Sequence, residues 1–397
     1  MTPRETLLRG RATHEQERVT FVELFFDLVF VFAVTQLSHT LLENLTPLGA
    51  LHTTLLMMAV WWVWIYTSWV TNWLDPDKTP VRLMVFVLML AGLIFSTALP
   101  HAFEETGRVV ASTYVFMQVG RSLFMLWALK GHSPNNHLNF QRIICWSALA
   151  GVFWLAGAWA SGGVRLVLWT MGVAVEYAAP SLGFWTPRLG RSTTEDWDVA
   201  GGHLAERCAL FIIIALGESV LVTGVNLGRA HMTPIAFVAF VTAFVGSVAM
   251  WWIYFNVGAE KASRSISRTS NPGRLARLAY TYVHLPLVAG IIVTAVGDSL
   301  TLEKPDAAVS TATGLAIVGG PVLYLLGNFL FKRATRASPA MSHLAGMAAL
   351  VLLFFASGAM STLGVSAAAA LVLVVVAGWE TASLGSARKK HSDGLPS

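Results

Sequence analysis

Ionisable side chains lie within long apolar stretches of this sequence, and their types suit the binding of a proton or a polar substrate. The five candidates are Glu23, Asp27, Arg121, Glu176 and Glu218. An ionised side chain at the centre of a bilayer costs about 2.5–3.5 kcal/mol on insertion scales. Such residues therefore face the interior of a helix bundle, and by default they indicate a functional site.

Three of these residues share a predicted depth in the membrane. Asp27, Arg121 and Glu176 each lie eight residues from the cytosolic end of a predicted span, which is roughly 12 Å at 1.5 Å per residue. Arg121 can hold a carboxylate through two hydrogen bonds, so we expect it to pair with Asp27 or Glu176. The alternative is that the three residues form a buried ion cluster that only fixes helix packing.

Acids outnumber basic groups in this layer. Counting Glu380, this layer holds five carboxylates against one arginine away from the span ends, with His284 as a second candidate cation. Glu218 is the deepest acid, and its neighbours Gly217 and Ser219 are small enough to let another helix approach closely. Carboxylates that exchange protons are what a proton-coupled or cation-binding site requires.

The second predicted span carries aromatic side chains on one helical face. Trp62, Tyr66, Trp69 and Trp73 fall within roughly 60° of one another at 100° per residue. This face is either a stacking wall for a cation or planar substrate, with Tyr66 as a binding candidate, or a lipid-facing or helix-packing surface. His39, near the predicted external end of the first span, is a further binding candidate.

Motifs for metal and cofactor chemistry are missing from the sequence. No set of His, Cys, Asp and Glu has a metal-ligand spacing, and neither a nucleotide-binding loop nor a nucleophile elbow is present. The sequence therefore predicts no metal and no cofactor, and it assigns no catalytic residue.

The composition indicates which kind of protein positions these residues. Of 397 residues, 55% are hydrophobic and 12% charged, with a mean hydropathy of +0.61, whereas a soluble domain has about 25% charged residues. A soluble enzyme and a disordered chain are both excluded. The net charge of +5 sits in short gaps between apolar runs, so it indicates membrane orientation rather than nucleic-acid binding. The expected partners are the lipid bilayer and a small-molecule or ion substrate; the oligomeric state is left open.

Twelve apolar stretches are long enough to cross a bilayer. With the N-terminus in the cytosol, 22 Lys and Arg fall in cytosolic segments and 4 in external loops, which is the asymmetry that orients membrane proteins. The fold predicted is an all-α polytopic membrane protein with about twelve transmembrane helices and both termini cytosolic. The spans are 19–41, 50–73, 82–100, 108–129, 141–161, 163–184, 207–228, 233–257, 278–300, 311–332, 341–361 and 366–385.

Short matches indicate an internal duplication. Glu17-Arg18 precedes the first span and Glu206-Arg207 the seventh, while Trp64-Ile65-Tyr66 matches Trp252-Ile253-Tyr254 at nearly the same offset. Six spans in each half give a six-plus-six parallel repeat. The predicted division is a cytosolic N-terminal tail (1–18), a first half (19–200), a second half (201–385) and a cytosolic C-terminal tail (386–397).

Two motifs resemble those of the bacterial low temperature requirement protein A family. The first is VTFVELFFDLVFVFA at 19–33 followed by TQLSH at 35–39, and the second is ER at 206–207 followed by LFIIIALGES at 210–219. The resemblance implies a multipass protein of the bacterial inner membrane, associated by its family name with growth in the cold. Cys208-Ala209 departs from the family pattern. The motif residues present are Glu23, Asp27, His39, Glu206, Arg207, Gly217, Glu218 and Ser219.

Three functions remain open at this point. The first is a proton-linked secondary transporter or permease that uses the intramembrane carboxylates, which the repeat favours. The second is a membrane-embedded enzyme that acts on a lipid or isoprenoid, with Asp27, Glu176 or Glu218 as general acid. The third is a structural or assembly factor without turnover.

Overall fold

Helices make up most of the described residues in a computed structural model, which describes residues 6–10, 18–194, 197, 199–229, 233–256, 266, 269, 271–335 and 341–392. No strand forms within these ranges, which contain only isolated β-bridges. The helices are α1 (Phe21–Glu43), α2 (Pro47–Trp73), α3 (Thr79–Ala98), α4 (Gly107–Leu129), α5 (Pro134–Trp159), α6 (Gly162–Ala178), α7 (Gly201–Arg229), α8 (Pro234–Tyr254), α9 (Pro272–Leu275), α10 (His284–Glu303), α11 (Thr311–Ala334), α12 (Met341–Ala356) and α13 (Thr362–Ser392).

The chain divides into two compact units. The first comprises Met1–Arg207 and Ile266–Thr281, and the second Cys208–Ser265 and Tyr282–Ser397. The first unit thus holds α1 to α6, the first turns of α7, α9 and most of the π-helix Ala276–Tyr282 that follows α9. The division into halves at residue 200 and the parallel repeat stay predictions.

Eleven helical segments among the described residues are long and apolar enough to cross a membrane. The span predicted at 163–184 is the exception, because α6 ends at Ala178 and has 17 residues, about 26 Å at 1.5 Å per residue. Ala179 keeps a helical backbone conformation, but Pro180 has no N–H to continue the helical hydrogen bonds, and a turn with positive φ at Gly183 and Phe184 follows. Whether α6 crosses decides between eleven and twelve spans, so twelve stays a prediction.

Helix ends explain how the first candidate acids are placed. Thr20 caps α1: its Oγ1 accepts a hydrogen bond from the Glu23 backbone N at 3.4 Å, and Glu23 Oε2 accepts one from Thr20 N at 2.8 Å. This reciprocal capping box fixes Glu23 in the first turn. Asp27, four residues later, then lies on the same face one turn further along.

The outer surface is apolar where helices have no protein neighbour. On α3, Leu83, Phe86, Leu90 and Ile94 are 40% or more exposed. Large apolar faces of this kind are rare on soluble monomers, and they fit the hydrocarbon interior of a bilayer. Trp61, by contrast, is buried.

Glycines bring α10 and α11 into close contact in the second unit. A Cβ at Gly290 would lie 2.6 Å from the backbone N of Tyr324, and one at Gly320 would lie 2.5 Å from the backbone N of Thr294. Both distances are far below van der Waals contact, so only glycine permits this backbone approach. The two helices therefore pack at a separation that larger side chains would prevent.

Candidate functional site

A buried cluster of charged side chains joins α1 to the start of α7 in the first unit. Glu23 and Asp27 come from α1, and His203 and Arg207 from α7; we call these four residues the ionic cluster. On each helix the two members are four residues apart and so share one face. All four side chains have zero exposed fraction.

Arg207 bridges the two acids of the ionic cluster. Its Nη2 donates to Asp27 Oδ1 at 2.7 Å, and its Nη1 lies 3.4 Å from Glu23 Oε1. The α2 side chains Trp64 and Ser68 complete this contact: Trp64 Nε1 donates to Asp27 Oδ1 at 2.8 Å, and Arg207 Nη2 donates to Ser68 Oγ at 3.2 Å. Charge-assisted hydrogen bonds of this kind are about twice as strong as neutral ones.

The orientation of His203 follows from Asn72 on α2. Asn72 Oδ1 accepts a hydrogen bond from the backbone N of Ala200 at 2.9 Å, so its Nδ2 is the atom that faces His203 Nδ1 at 3.2 Å. A ring nitrogen that accepts a hydrogen bond carries no proton, which places the proton of a neutral ring on Nε2. His203 Nε2 lies 2.9 Å from Glu23 Oε1, so the protonated ring nitrogen is the one next to the carboxylate.

Arg9 adds a second arginine to the edge of the ionic cluster. Its Nη2 lies 3.2 Å from Glu23 Oε2, and its backbone N donates to the carbonyl of Trp73 at 2.8 Å. Two arginines and two carboxylates bring the formal charge to zero when His203 is neutral. A buried group of zero net charge avoids the desolvation cost of an uncompensated ion. Adding one proton breaks that balance.

Arg121 does not pair directly with an acid, which corrects the expectation from matched depth. It donates to Thr67 Oγ1 at 3.0 Å and to the carbonyl of Val63 at 3.2 Å, both on α2. It also donates to Gln118 Oε1, and Gln118 Nε2 donates in turn to Glu176 Oε1 at 3.2 Å. An amide therefore separates the guanidinium from Glu176, and Asp27 is held by Arg207 instead.

Glu176 belongs to this second buried network. Its Oε2 accepts a hydrogen bond from the Tyr114 hydroxyl at 2.6 Å. The side chains of Tyr114, Gln118, Arg121 and Glu176 are each less than 5% exposed. These bonds satisfy the acid with neutral donors. The network is therefore as consistent with a structural role in helix packing as with a role in binding a proton or a substrate.

Aromatic side chains of α2 line a cavity in the first unit. Tyr66, Trp69 and Trp73 form one wall, and Trp197 lies 5.5 Å from Trp69 and 5.7 Å from Trp73 between ring centroids. Arg277 contributes the one charged group among the described lining residues. Trp62 does not line the cavity: it is buried and stacks on Tyr177, as the helix-packing interpretation predicts.

The other sequence candidates lie outside the ionic cluster. Glu218 is half-buried in the second unit, next to the buried Ser219, and Gly217 faces open space. Glu206 is exposed and accepts a hydrogen bond from the backbone N of Val19 at 3.2 Å. His39 is exposed on α1.

Sequence reasoning missed several residues that the structure brings to the site. His203 lies before the predicted start of span seven at residue 207, whereas α7 begins at Gly201. Its spacing of four from Arg207 is the signal that could have found it. Asn72 and Arg9 carried no comparable signal, since their partners are distant in sequence.

These features define a class: an all-α polytopic membrane protein with ionisable groups buried inside its helix bundle. The profile of the bacterial low temperature requirement A protein (LtrA) matches residues 18–378, and the chain belongs to that family. It is 40% identical over 375 residues to the uncharacterized protein RA0937 of Rhizobium meliloti (strain 1021), covering 94% of this chain and 92% of that one. No solved structure matches it significantly.

Proposed function

We propose that this protein is a proton-linked secondary transporter of the bacterial inner membrane, with the ionic cluster as its proton-exchange site. The observation that carries the proposal is the complete burial of Glu23, Asp27, His203 and Arg207 together. Intramembrane acid and histidine networks are typical of proton relays in transporters. Cytosolic termini and a repeat of two six-helix halves belong to the same proposal.

The ionic cluster is suited to binding and releasing a proton. Asp27 Oδ2 is buried and has no hydrogen-bond partner among the described residues, so it can accept a proton without losing a bond. Protonation of Asp27 removes the negative charge that holds Arg207 Nη2 at 2.7 Å. The arginine then needs another partner or access to water, which links the protonation state to the arrangement of α1 and α7.

Helix α2 connects this site with the aromatic cavity of the same unit. Ser68 and Asn72 contact the ionic cluster, while their neighbours Trp69 and Trp73 line the cavity. Rotation or shift of α2 would move both faces at once. We therefore assign the cavity to the transported solute, a planar or apolar organic molecule that suits its aromatic lining.

The enzyme alternative receives less support from the same cavity. None of the described residues that line it is an Asp, a Glu or a His. Asp27, Glu176 and Glu218, the general acids considered for a lipid or isoprenoid substrate, are likewise not among its lining residues. Transport requires only that the proton site and the solute site be coupled. Acid catalysis requires the acid to lie within hydrogen-bond reach of the bound substrate.

Proton flux in reconstituted vesicles tests the proposal. Vesicles holding a pH-sensitive dye are exposed to impermeant planar aromatic ions, namely an aromatic sulfonate and an aromatic quaternary ammonium ion, while their binding is followed by tryptophan fluorescence. We expect a solute-dependent proton flux that Asp27→Asn abolishes although solute binding survives. Asp77→Asn is the matched control, because Asp77 is 70% exposed. Flux no greater than in protein-free vesicles, or unchanged in Asp27→Asn, contradicts the proposal.

A further inference from the structure

A buried carboxylate in the second unit takes no part in the sites described above. Asp298, on α10, is 7% exposed. Its Oδ2 is buried and has no hydrogen-bond partner within the described part of the chain. Leaving a carboxylate oxygen buried and unsatisfied is costly, so this arrangement calls for a ligand that supplies positive charge.

Asp298 lines a small cavity between α8, α10, α11 and α13. Hydroxyl groups of Thr242, Thr294 and Ser366 belong to residues of its lining. The Thr294 hydroxyl donates to the carbonyl of Gly290 at 2.8 Å and the Thr242 hydroxyl to that of Val238 at 2.9 Å. Each oxygen whose proton is committed in this way keeps a lone pair to offer a cation.

Pro321 leaves one backbone carbonyl at this cavity without its helical hydrogen bond. It lies inside α11, and because proline has no backbone N–H, the carbonyl of Ile317 four residues earlier loses its usual helical donor. Both Ile317 and Pro321 line the cavity. Backbone carbonyls released from helical bonding are the groups that bind Na⁺ within membrane transporters.

A glycine brings that part of α11 close to the acid. A Cβ at Gly297, the residue before Asp298, would lie 2.9 Å from Ile317 Cα. Any side chain at position 297 would therefore separate the two helices at this level. The glycine packing of α10 against α11 thus keeps the carboxylate and the Ile317 backbone at one small, largely apolar cavity.

We propose that this cavity binds one monovalent cation, Na⁺, with Asp298 as its charged ligand. Hard cations prefer carboxylate, carbonyl and hydroxyl oxygens, and the cavity offers all three. One carboxylate balances the charge of one monovalent ion, whereas Ca²⁺ sites draw on several acidic ligands. The described lining contains no second acid and no basic side chain. We call this cavity, with Asp298, Thr242, Thr294, Ser366 and Ile317 in its lining, the cation cavity.

This inference does not depend on the proposed transport function. The cation cavity lies wholly within the second unit, and the ionic cluster within the first. A cation could energise transport, stabilise the fold or both, and binding itself is the property to be measured.

Thermal unfolding of the purified full-length protein in detergent tests the proposal. NaCl replaces choline chloride at constant ionic strength, and binding of radioactive ²²Na⁺ is measured on the same preparation. A ligand that binds only the folded state raises the unfolding midpoint with its concentration. We expect a saturable, Na⁺-specific rise and about one bound ion per chain.

Three variants decide whether the cation cavity is responsible. Asp298→Asn keeps the shape of the side chain and should abolish both Na⁺ binding and the rise in midpoint. Ser366→Ala should weaken binding several-fold without abolishing it. Glu303→Gln is the matched control, because Glu303 is an exposed acid on the same helix, and it should behave as the wild type.

Several results would overturn the inference. They are a wild-type protein without Na⁺-specific binding, Na⁺ binding that Asp298→Asn leaves intact, and a response to pH alone that disappears in Asp298→Asn, which would identify a proton site. If Asp298→Asn unfolds during purification, the Na⁺ titration of wild type against Ser366→Ala still decides, since equal affinities contradict the assigned cavity.

Discussion

Asp27 and Arg207 are 180 residues apart in the sequence, and their side chains meet at 2.7 Å in an environment closed to solvent. The contact joins the two motifs that carried the family resemblance, since Asp27 lies in the first and Arg207 in the second. Family motifs that look independent in the sequence are therefore two sides of one buried ion pair. Predictions about stability start from this contact.

Removing Arg207 should destabilise the protein strongly. Arg207→Ala leaves Asp27 without its cation and takes one of two arginines from Glu23. Breaking a buried pair by removing one partner costs about 3–5 kcal/mol. Thermal or denaturant unfolding in detergent measures the change, and adding Asp27→Asn should recover part of it.

The matched control is Arg82→Ala. Arg82 and Asp77 form an exposed ion pair at 3.4 Å, with side chains 41% and 70% exposed, and such pairs contribute about 0–1 kcal/mol. Equal destabilisation by Arg207→Ala and Arg82→Ala would show that Arg207 is not buried in an ion pair.

Arg121 should not be rescued by removing Asp27. In the structure, Asp27 forms an ion pair with Arg207, and Arg121 is connected to Glu176 by hydrogen bonds through Gln118. Arg121→Ala/Asp27→Asn should therefore be no more stable than Arg121→Ala, because it loses a second, separate contact. Arg121→Ala/Glu176→Gln should be more stable than Arg121→Ala, since it removes a buried charge. The reverse order of the two double variants in thermal unfolding would restore the direct pairing.

The sequence predicts how deep a residue lies in the membrane, but it does not predict which neighbouring helix the side chain faces. The sequence predicts that Asp27 is buried because an apolar run surrounds it, and the structure confirms that burial. Arg121 lies at a similar predicted depth, but depth does not say which side of a helix faces which neighbour. Gln118, one turn before Arg121, is uncharged and so gives no signal in the sequence, yet it contacts both Arg121 and Glu176.

The long-range contacts of the N-terminal segment could not be predicted from the sequence either. Residues 1–18 read as a charged cytosolic tail, and within it Arg9 reaches Glu23. Backbone pairing places it there: Arg9 N donates to the carbonyl of Trp73, and Asp75 N to that of Leu7. Nothing in local composition reports such pairing, whereas the apolar stretches that form the helices are local features, and their predicted ends lie at most seven residues from the observed ones.

Cysteine labelling from either side of the membrane decides between eleven and twelve spans. In a background of Cys145→Ser and Cys208→Ala, Ser161→Cys lies just before α6 and Arg191→Cys after it, and both positions are exposed. If α6 crosses, an impermeant maleimide added outside labels position 161 and not 191. Reporter fusions should then place 302–308 outside and the end of α13 in the cytosol. Labelling of both cysteines from one side would reduce the count to eleven.

Glu218→Gln tests whether the second motif contributes an exchangeable proton. Glu218 is half-buried on α7, one residue before Ser219, whose buried hydroxyl oxygen has no hydrogen-bond partner among the described residues. Glutamine keeps the shape and most of the hydrogen bonding of a neutral glutamic acid but cannot release a proton. On the transport proposal, the variant folds and inserts normally, with an unfolding free energy within about 1 kcal/mol of the wild type. It should nevertheless lose proton flux, or its dependence on pH, in vesicles and fail to complement growth in the cold.

Ser219→Ala is the neighbouring control, because it changes a buried polar group without altering charge, and it should retain flux. A Glu218→Gln protein with full flux and an unchanged pH profile would remove Glu218 from the site.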